Sequence, residues 1–297
     1  TAAKEIPDRL LVLGGGAIGA EMAQAFRRLG ASEVTVVEGG DRLLPHEEPF
    51  AGAEVAAAFA SEGITVITGH PMTSVARRRR EGPVTATLDD GRTFVADELL
   101  VAVGRRPATG DLGLEHVGLT PGRFIDVDDR LRATGVDGGW LYAVGDCNGR
   151  ALLTHMGKYQ ARIAGDVILG KDVSAIANER IVPRVTFTDP QVCAVGPTAQ
   201  QARDDGIDVR VVTYPTGDVS AASTLGNGIS GTSQLIVDTA RGVIVGATFT
   251  GPGLQELLHS ATIAITGEVP LERLWHAVPS FPTLSEVWLR LLEAYGL

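Results

Sequence analysis

Four apolar residues follow Arg9 without a break, the pattern of a parallel strand buried on both faces. A glycine turn at 14–19 separates this strand from a helical stretch at 20–29, and residues 34–37 read as a second strand. An alanine-rich helix is predicted over about 48–62, closed by Gly63, where a left-handed C-cap costs least. Residues 64–67 read as a third strand. From 74 to 94 the pattern changes to short alternating segments with turn residues at 81–83 and 89–91, which predicts a β-meander. Residues 99–103 form another buried strand, ending at Gly104.

Beyond Asp111 the alternation of helix and strand weakens. A short strand is predicted at 140–144, running into Gly145 and Asp146, and a helix at 154–169. From about residue 173 the chain reads as antiparallel segments at 184–188, 209–214, 233–237 and 243–248, with helices at 198–205, 254–266 and 285–295. That order predicts an α/β first part and an α+β last part.

Composition narrows the chemistry. Lys and Arg number 26 against 36 Asp and Glu, a net charge of −10, which argues against nucleic-acid or anionic-membrane partners. The 44% hydrophobic and 21% charged content is that of a globular chain of two or three domains. The two cysteines, Cys147 and Cys193, have no metal-ligand spacing, so no metal is expected and a reducing cytoplasmic setting is. No apolar run reaches the roughly 18 residues of a membrane span, and no secretory signal is seen. The basic run at 77–80 reads as a solvated hairpin edge that discourages strand pairing rather than as a phosphate or nucleic-acid site.

The glycine turn carries the first chemical signal. Gly14, Gly16 and Gly19 form a GxGxxG between a predicted strand and a predicted helix, the setting that a dinucleotide fingerprint requires. The first glycine permits the tight turn, the second lets a pyrophosphate approach the backbone, and the third allows close packing of helix on strand. The pyrophosphate then rests on the N-terminus of the helix. Glu38 ends the second strand, 24 positions after Gly14, where an acid can accept hydrogen bonds from both adenosine ribose hydroxyls. The same charge would repel a 2′-phosphate, favouring NAD over NADP, although Arg42 lies close in sequence.

Several stretches in succession resemble the pyridine nucleotide-disulfide oxidoreductases, with dihydrolipoamide dehydrogenase-like flavoproteins as the nearest type. They are 14–21 (GGGAIGAE), 34–45 (VTVVEGGDRLLP), 102–107 (AVGRRP), 141–146 (LYAVGD), 152–155 (LLTH), 182–190 (VPRVTFTDP), 246–251 and 282–286 (PTLSE). The resemblance implies a Rossmann-type NAD-binding domain over 1–110, the C-terminal part of an FAD domain over 111–174 and an α+β dimerisation domain over 175–297. It also implies a homodimer passing electrons to a small-molecule acceptor. Gly14, Gly15, Gly16, Ile18, Gly19 and Glu38 would hold NAD, with Val75 and Gly104 lining the same cleft. Gly145, Asp146, Leu152, Leu153, Thr154 and His155 would lie along FAD, although His155 could equally serve local helix-end hydrogen bonding.

Glu21 matches the family acid that faces the nicotinamide and pairs with a lysine beside the flavin. The chain's lysines are Lys4, Lys158 and Lys171, and none matches that role.

Two departures from the family pattern matter. A first glycine fingerprint for the ADP half of FAD and a Cys-x4-Cys redox pair are absent, which leads to the expectation that the N-terminal half of the FAD domain lies outside this sequence; a natural stand-alone module is the alternative. The family's C-terminal His-x-His-Pro-Thr-x-x-Glu is replaced by His276-Ala-Val-Pro-Ser-Phe-Pro-Thr-Leu-Ser-Glu286. Anchored on the left, the position of the proton-transferring histidine is Val278; anchored on the right, it is Phe281, with Glu286 retained as the second catalytic candidate. A quinone or another non-disulfide acceptor is therefore expected. The alternatives are a disulfide reductase with an atypical base and a non-catalytic NAD-binding and dimerisation module.

Overall fold

The computed structural model describes residues 3–79 and 82–297. They form two compact units, one of residues 3–103 with 183–297, the other of residues 104–182.

In the first unit, β1 (Arg9–Leu13), β2 (Glu33–Val37), β3 (Ile64–Ile67) and β7 (Glu98–Val101) make a parallel sheet in the order β3-β2-β1-β7. Leu10 of β1 lies opposite Val34 on one side and Glu98 on the other. Alternate side chains of a strand point to opposite faces, so β1 serves two cores. Leu10 and Val12 pack with Val34, Val36, Val55 and Phe59 beneath α1 (Ala17–Arg28) and α2 (Pro49–Ser61). Leu11 packs with Val37 and Ile67 against Ala86, Leu88 and Ala96 of an antiparallel meander. That meander is β4 (Met72–Arg77), β5 (Val84–Leu88) and β6 (Thr93–Ala96). Of the basic run, Arg77 pairs with Glu98 at 2.7 Å, Arg78 and Arg79 are exposed, and Arg80 lies outside the described residues.

Residues 183–297 add a five-stranded antiparallel sheet in the order β10-β11-β12-β9-β8. Its strands are β8 (Arg184–Thr186), β9 (Gln191–Val195), β10 (Val209–Pro215), β11 (Thr232–Asp238) and β12 (Val243–Gly251). All nine residues of β12 are buried. The pattern of positions missed β9, in which Gln191 and a run of four apolar residues follow Pro190 and sit between β12 and β8.

Within this unit, polar side chains tie the two sheets' layers together. Arg184 donates to Glu47 at 2.9 and 3.0 Å, Glu48 accepts from the backbone of Ala199, and Glu54 accepts from the hydroxyls of Thr232 and Thr250.

The second unit has little regular structure: α3 (Thr154–Ile168), the single turn α4 (Ala177–Arg180), and 3-10 turns at Leu114–Val117 and Gly145–Asn148. Its core gathers Leu114, Ile125, Val127, Leu131 and Ala143 against Ala164 of α3. The strand expected at 140–144 does not form. Tyr142 makes one bridge to Arg132, supported only by bonds from Ala133 N to Leu141 O and from Ala143 N to Leu131 O, and the chain then enters the turn at Gly145.

The remaining helices all belong to the first unit: α5 (Ala199–Asp204), α6 (Ala222–Leu225), α7 (Leu258–Thr266), α8 (Leu271–Leu274) and α9 (Glu286–Tyr295). The helix expected from 254 begins at Leu258, because residues 254–257 form turns. Among the described residues no helix is long and apolar enough to cross a membrane.

Candidate functional site

The turn after β1 is shaped by close backbone approaches. Gly14 has φ +106°, and a Cβ there would lie 2.5 Å from the carbonyl oxygen of Ala102, the residue just past β7. A Cβ on Gly19 would lie 1.9 Å from the carbonyl oxygen of Gly14, a separation no side chain tolerates. Gly16 is different. Its φ of −72° suits any residue, and no described heavy atom lies within 4 Å of where its Cβ would be. The first and third glycines are thus demanded by the fold, whereas the second leaves open space at the start of α1. That helix begins at Ala17 rather than at residue 20, with Gly16 as its N-cap and no side chain capping it among the described residues.

Glu38 faces this turn from the end of β2. Its Oε2 accepts from Gly15 N at 2.6 Å and its Oε1 from Gly40 N at 2.7 Å. A carboxylate has about four acceptor positions, so lone pairs remain after two backbone bonds. Ile18 is exposed on the first turn of α1. Glu21, one turn further along, is half-buried and accepts from the backbone N–H of Phe187 at 2.8 Å. Val75 lies on β4 with its side chain about half exposed.

The predicted flavin-side residues gather in the second unit, where the 3-10 turn at Gly145–Asn148 meets the start of α3. Asp146 pairs with Arg105 at 3.0 Å, and Arg105 also donates to the carbonyl of Leu152 at 2.6 Å. Both members of that pair are about half exposed. Beneath them, the fully buried Gln160 accepts from Gly145 N at 2.7 Å and from Asn148 Nδ2 at 2.8 Å. Thr154 and His155 are exposed in the first turn of α3, and Leu152 and Leu153 are half-buried just before it. Gly104, with φ +127°, opens this unit.

Glu286 belongs to the first unit, in the first turn of α9. It is buried, and its Oε2 has no hydrogen-bond partner among the described residues. Val278 and Phe281, the two positions where the motif would place a basic histidine, are 86% and 74% exposed. Cys193 is buried in β9, and burial pushes its thiol up to about 12, as expected of a core cysteine rather than a reactive one.

Sequence reasoning did not single out Gln24, Gln160 or Arg105. A signal existed for Gln160, a lone amide in the buried stripe Met156, Gln160, Ala164 and Val167 of α3. Gln24 likewise interrupts the alanine stripe of α1.

Parallel strands joined through a glycine turn and a helix, with an acid closing the second strand, define a Rossmann-type α/β fold, here followed by an antiparallel α+β portion. The family profile for pyridine nucleotide-disulphide oxidoreductase matches residues 1–161, and that for the dimerisation domain of the same family matches residues 182–292. The chain belongs to the pyridine nucleotide-disulphide oxidoreductase family.

Among its relatives, dihydrolipoyl dehydrogenase of Mycobacterium leprae is 33% identical over 286 residues, covering 95% of this chain and 60% of the relative. Dihydrolipoyl dehydrogenase of Bacillus subtilis is 32% identical over 297 residues, covering 98% and 62%. Of solved structures, LpdA from Mycobacterium tuberculosis is similar with a TM-score of 0.86 at 29% identity, covering 99% of this chain and 63% of that one. The HOCl-induced flavoprotein disulfide reductase RclA from Escherichia coli gives 0.85 at 28% identity, covering 98% and 66%. The chain therefore spans about 60% of the length of the curated relatives it matches.

Proposed function

We propose that this chain is the NAD-binding, flavin-completing and dimer-forming part of an FAD- and NAD-dependent oxidoreductase. The observation that carries the reading is the glycine turn: Gly14 and Gly19 are fixed by backbone contacts, while Gly16 leaves space at the uncapped start of α1. Oriented N–H groups at a helix start suit a pyrophosphate. Glu38, already held in place by two backbone N–H groups, would turn its remaining lone pairs to the adenosine ribose, which favours NAD over NADP. Residues 1–110 would form the NAD-binding domain, 111–174 the C-terminal part of the FAD domain and 175–297 the surface that pairs with a second copy.

NADH bound at this turn would supply a hydride, and FAD would be its first acceptor. The protein's own residues orient and exclude. Glu21 would face the nicotinamide, fixed by the Phe187 N–H. Asp146 and the segment 152–155 would line the flavin, with Arg105 and the buried Gln160 holding that turn in shape.

For the electron acceptor, the names of the relatives support a disulfide. This outweighs the expectation of a quinone drawn from the missing histidine. The quinone reading keeps one specific support, the exposed apolar Val278 and Phe281 in place of a base. The test is steady-state oxidation of NADH by the intact protein, with lipoamide or 1,4-benzoquinone as acceptor. Turnover with lipoamide exceeding that with the quinone supports disulfide chemistry, turnover with the quinone alone supports the second reading, and turnover with neither refutes both.

A further inference from the structure

Glu21, Gln24 and Arg28 lie at i, i+3 and i+7 on α1, one face of the helix, and all three reach the segment 187–189 that precedes β9. Glu21 accepts from the backbone N–H of Phe187. Gln24 meets the backbone of Asp189 twice: its Nε2 donates to Asp189 O at 2.8 Å, and its Oε1 accepts from Asp189 N at 2.7 Å. The second hydrogen on Nε2 goes to Glu62 Oε1 at 2.7 Å. Arg28 completes the group, donating to the carboxylate of Asp189 at 2.8 Å and to both oxygens of Glu62.

Gln24 is 3% exposed. A buried amide is tolerated only when it is hydrogen-bonded, and here both of its donors and its acceptor are engaged with fixed partners. Two opposed bonds to the N–H and C=O of one residue, which belong to the peptides on either side of it, define both the position and the rotation of residue 189. Phe187 is two residues away, and its own side chain is 65% exposed, so little packing fixes it. Its N–H lies on the 186–187 peptide, held on one side by the pairing of Thr186 with Val192 in β8 and β9 and on the other by residue 189, so the final direction of the N–H towards Glu21 depends in part on the clamp.

We propose that Gln24 is a positioning residue for Glu21: by clamping the Asp189 backbone it presents the Phe187 N–H to the Glu21 carboxylate and fixes that carboxylate's direction. The consequence for hydride transfer rests on the reading of Glu21 given above; the clamp itself does not. Arg28 and Glu62 support the clamp from the solvent side.

Amide hydrogen exchange of the 297-residue chain, followed residue by residue by NMR, tests the proposal. Gln24→Met removes both bonds to Asp189, and that to Glu62, at nearly constant volume, and Gln24→Asn keeps an amide one methylene too short. In either variant the Phe187 amide is expected to exchange at least about tenfold faster and to move upfield, towards its position in Glu21→Gln. In Arg28→Met the Phe187 amide should stay protected to within about threefold, since the backbone clamp remains. A Phe187 amide that keeps its protection and shift in a folded Gln24 variant overturns the proposal. So does equal loss in Arg28→Met, which would mean that the network acts as a whole.

In the intact flavoprotein, Gln24→Met is expected to slow flavin reduction at saturating NADH several-fold while leaving the KM for NADH within about twofold, because the pyrophosphate and ribose contacts are untouched. Release of the Phe187 amide with an unchanged reduction rate would uphold the clamp and instead refute the assignment of Glu21 to the nicotinamide.

Discussion

The glycine turn of the first unit and the Asp146 turn of the second hold their candidate functional groups by different means. Around Gly14 and Gly19 the fold depends on backbone passing against backbone, with no room for a Cβ at either position. Around Asp146 the shape depends on side chains: a buried Gln160 beneath the turn and a half-exposed Arg105 above it. Steric exclusion is unforgiving and leaves a fixed sequence mark. Hydrogen-bonded support can be supplied by many residues, and so leaves a faint one.

Substitutions should separate the two. The largest effect is expected for Gly19→Ala, whose Cβ would fall 1.9 Å from a carbonyl oxygen. The strand and helix must move apart, and we expect a loss of about 3 kcal/mol or more in denaturant unfolding. Next is Gln160→Leu, which leaves the half-buried N–H of Gly145 and one of the two amide hydrogens of the buried Asn148 without their acceptor; about 2 kcal/mol is expected in the same measurement.

A smaller effect comes from pH. The hydrogen bond from Arg28, aided by that from Gln24, holds the Glu62 carboxyl below the usual carboxylate range. A lowered folded value stabilises above the unfolded value and ceases to stabilise as pH falls through the folded one. Acid titration should therefore lower the free energy of denaturant unfolding slightly, at pH values below the ordinary range of a glutamate. Since Arg28 is about half exposed, solvent screening limits this contribution to less than about 1 kcal/mol. The smallest change is expected for Arg105→Met, which removes a half-exposed ion pair and should alter unfolding by well under about 1 kcal/mol. A loss rivalling that of Gln160→Leu would mean that the second unit's turn is held from its surface.

The same contrast explains what could be read in advance. The uninterrupted apolar run at 10–13, the glycine spacing and Glu38 all follow from constraints local to about forty residues, and the parallel sheet and meander appear where that pattern puts them, except that the strand expected buried over 99–103 runs from Glu98 to Val101 at the sheet edge, with Val101 and Val103 exposed. The short β9 was missed, since an apolar run of four so soon after a proline carries too little periodicity to distinguish it from loop. A strand expected at 140–144 failed because a lone bridge to Arg132 cannot propagate a ladder. Gln24 and Gln160 escaped notice because their partners, the peptide of Asp189 and the turn at Gly145, are brought to them only by tertiary folding.

The central claim, that the turn after β1 receives a dinucleotide, is tested most directly at Gly16. Its backbone angles suit any residue and its Cβ direction is open, so Gly16→Val should still fold, losing about 1 kcal/mol because valine is a poorer N-cap than glycine. Calorimetric titration of NADH into both proteins is the measurement. The expected result is a melting temperature lowered by only a few degrees with NADH affinity reduced by about tenfold or more, because the new side chain occupies the space a pyrophosphate needs. Equal NADH affinity in the two proteins would contradict it.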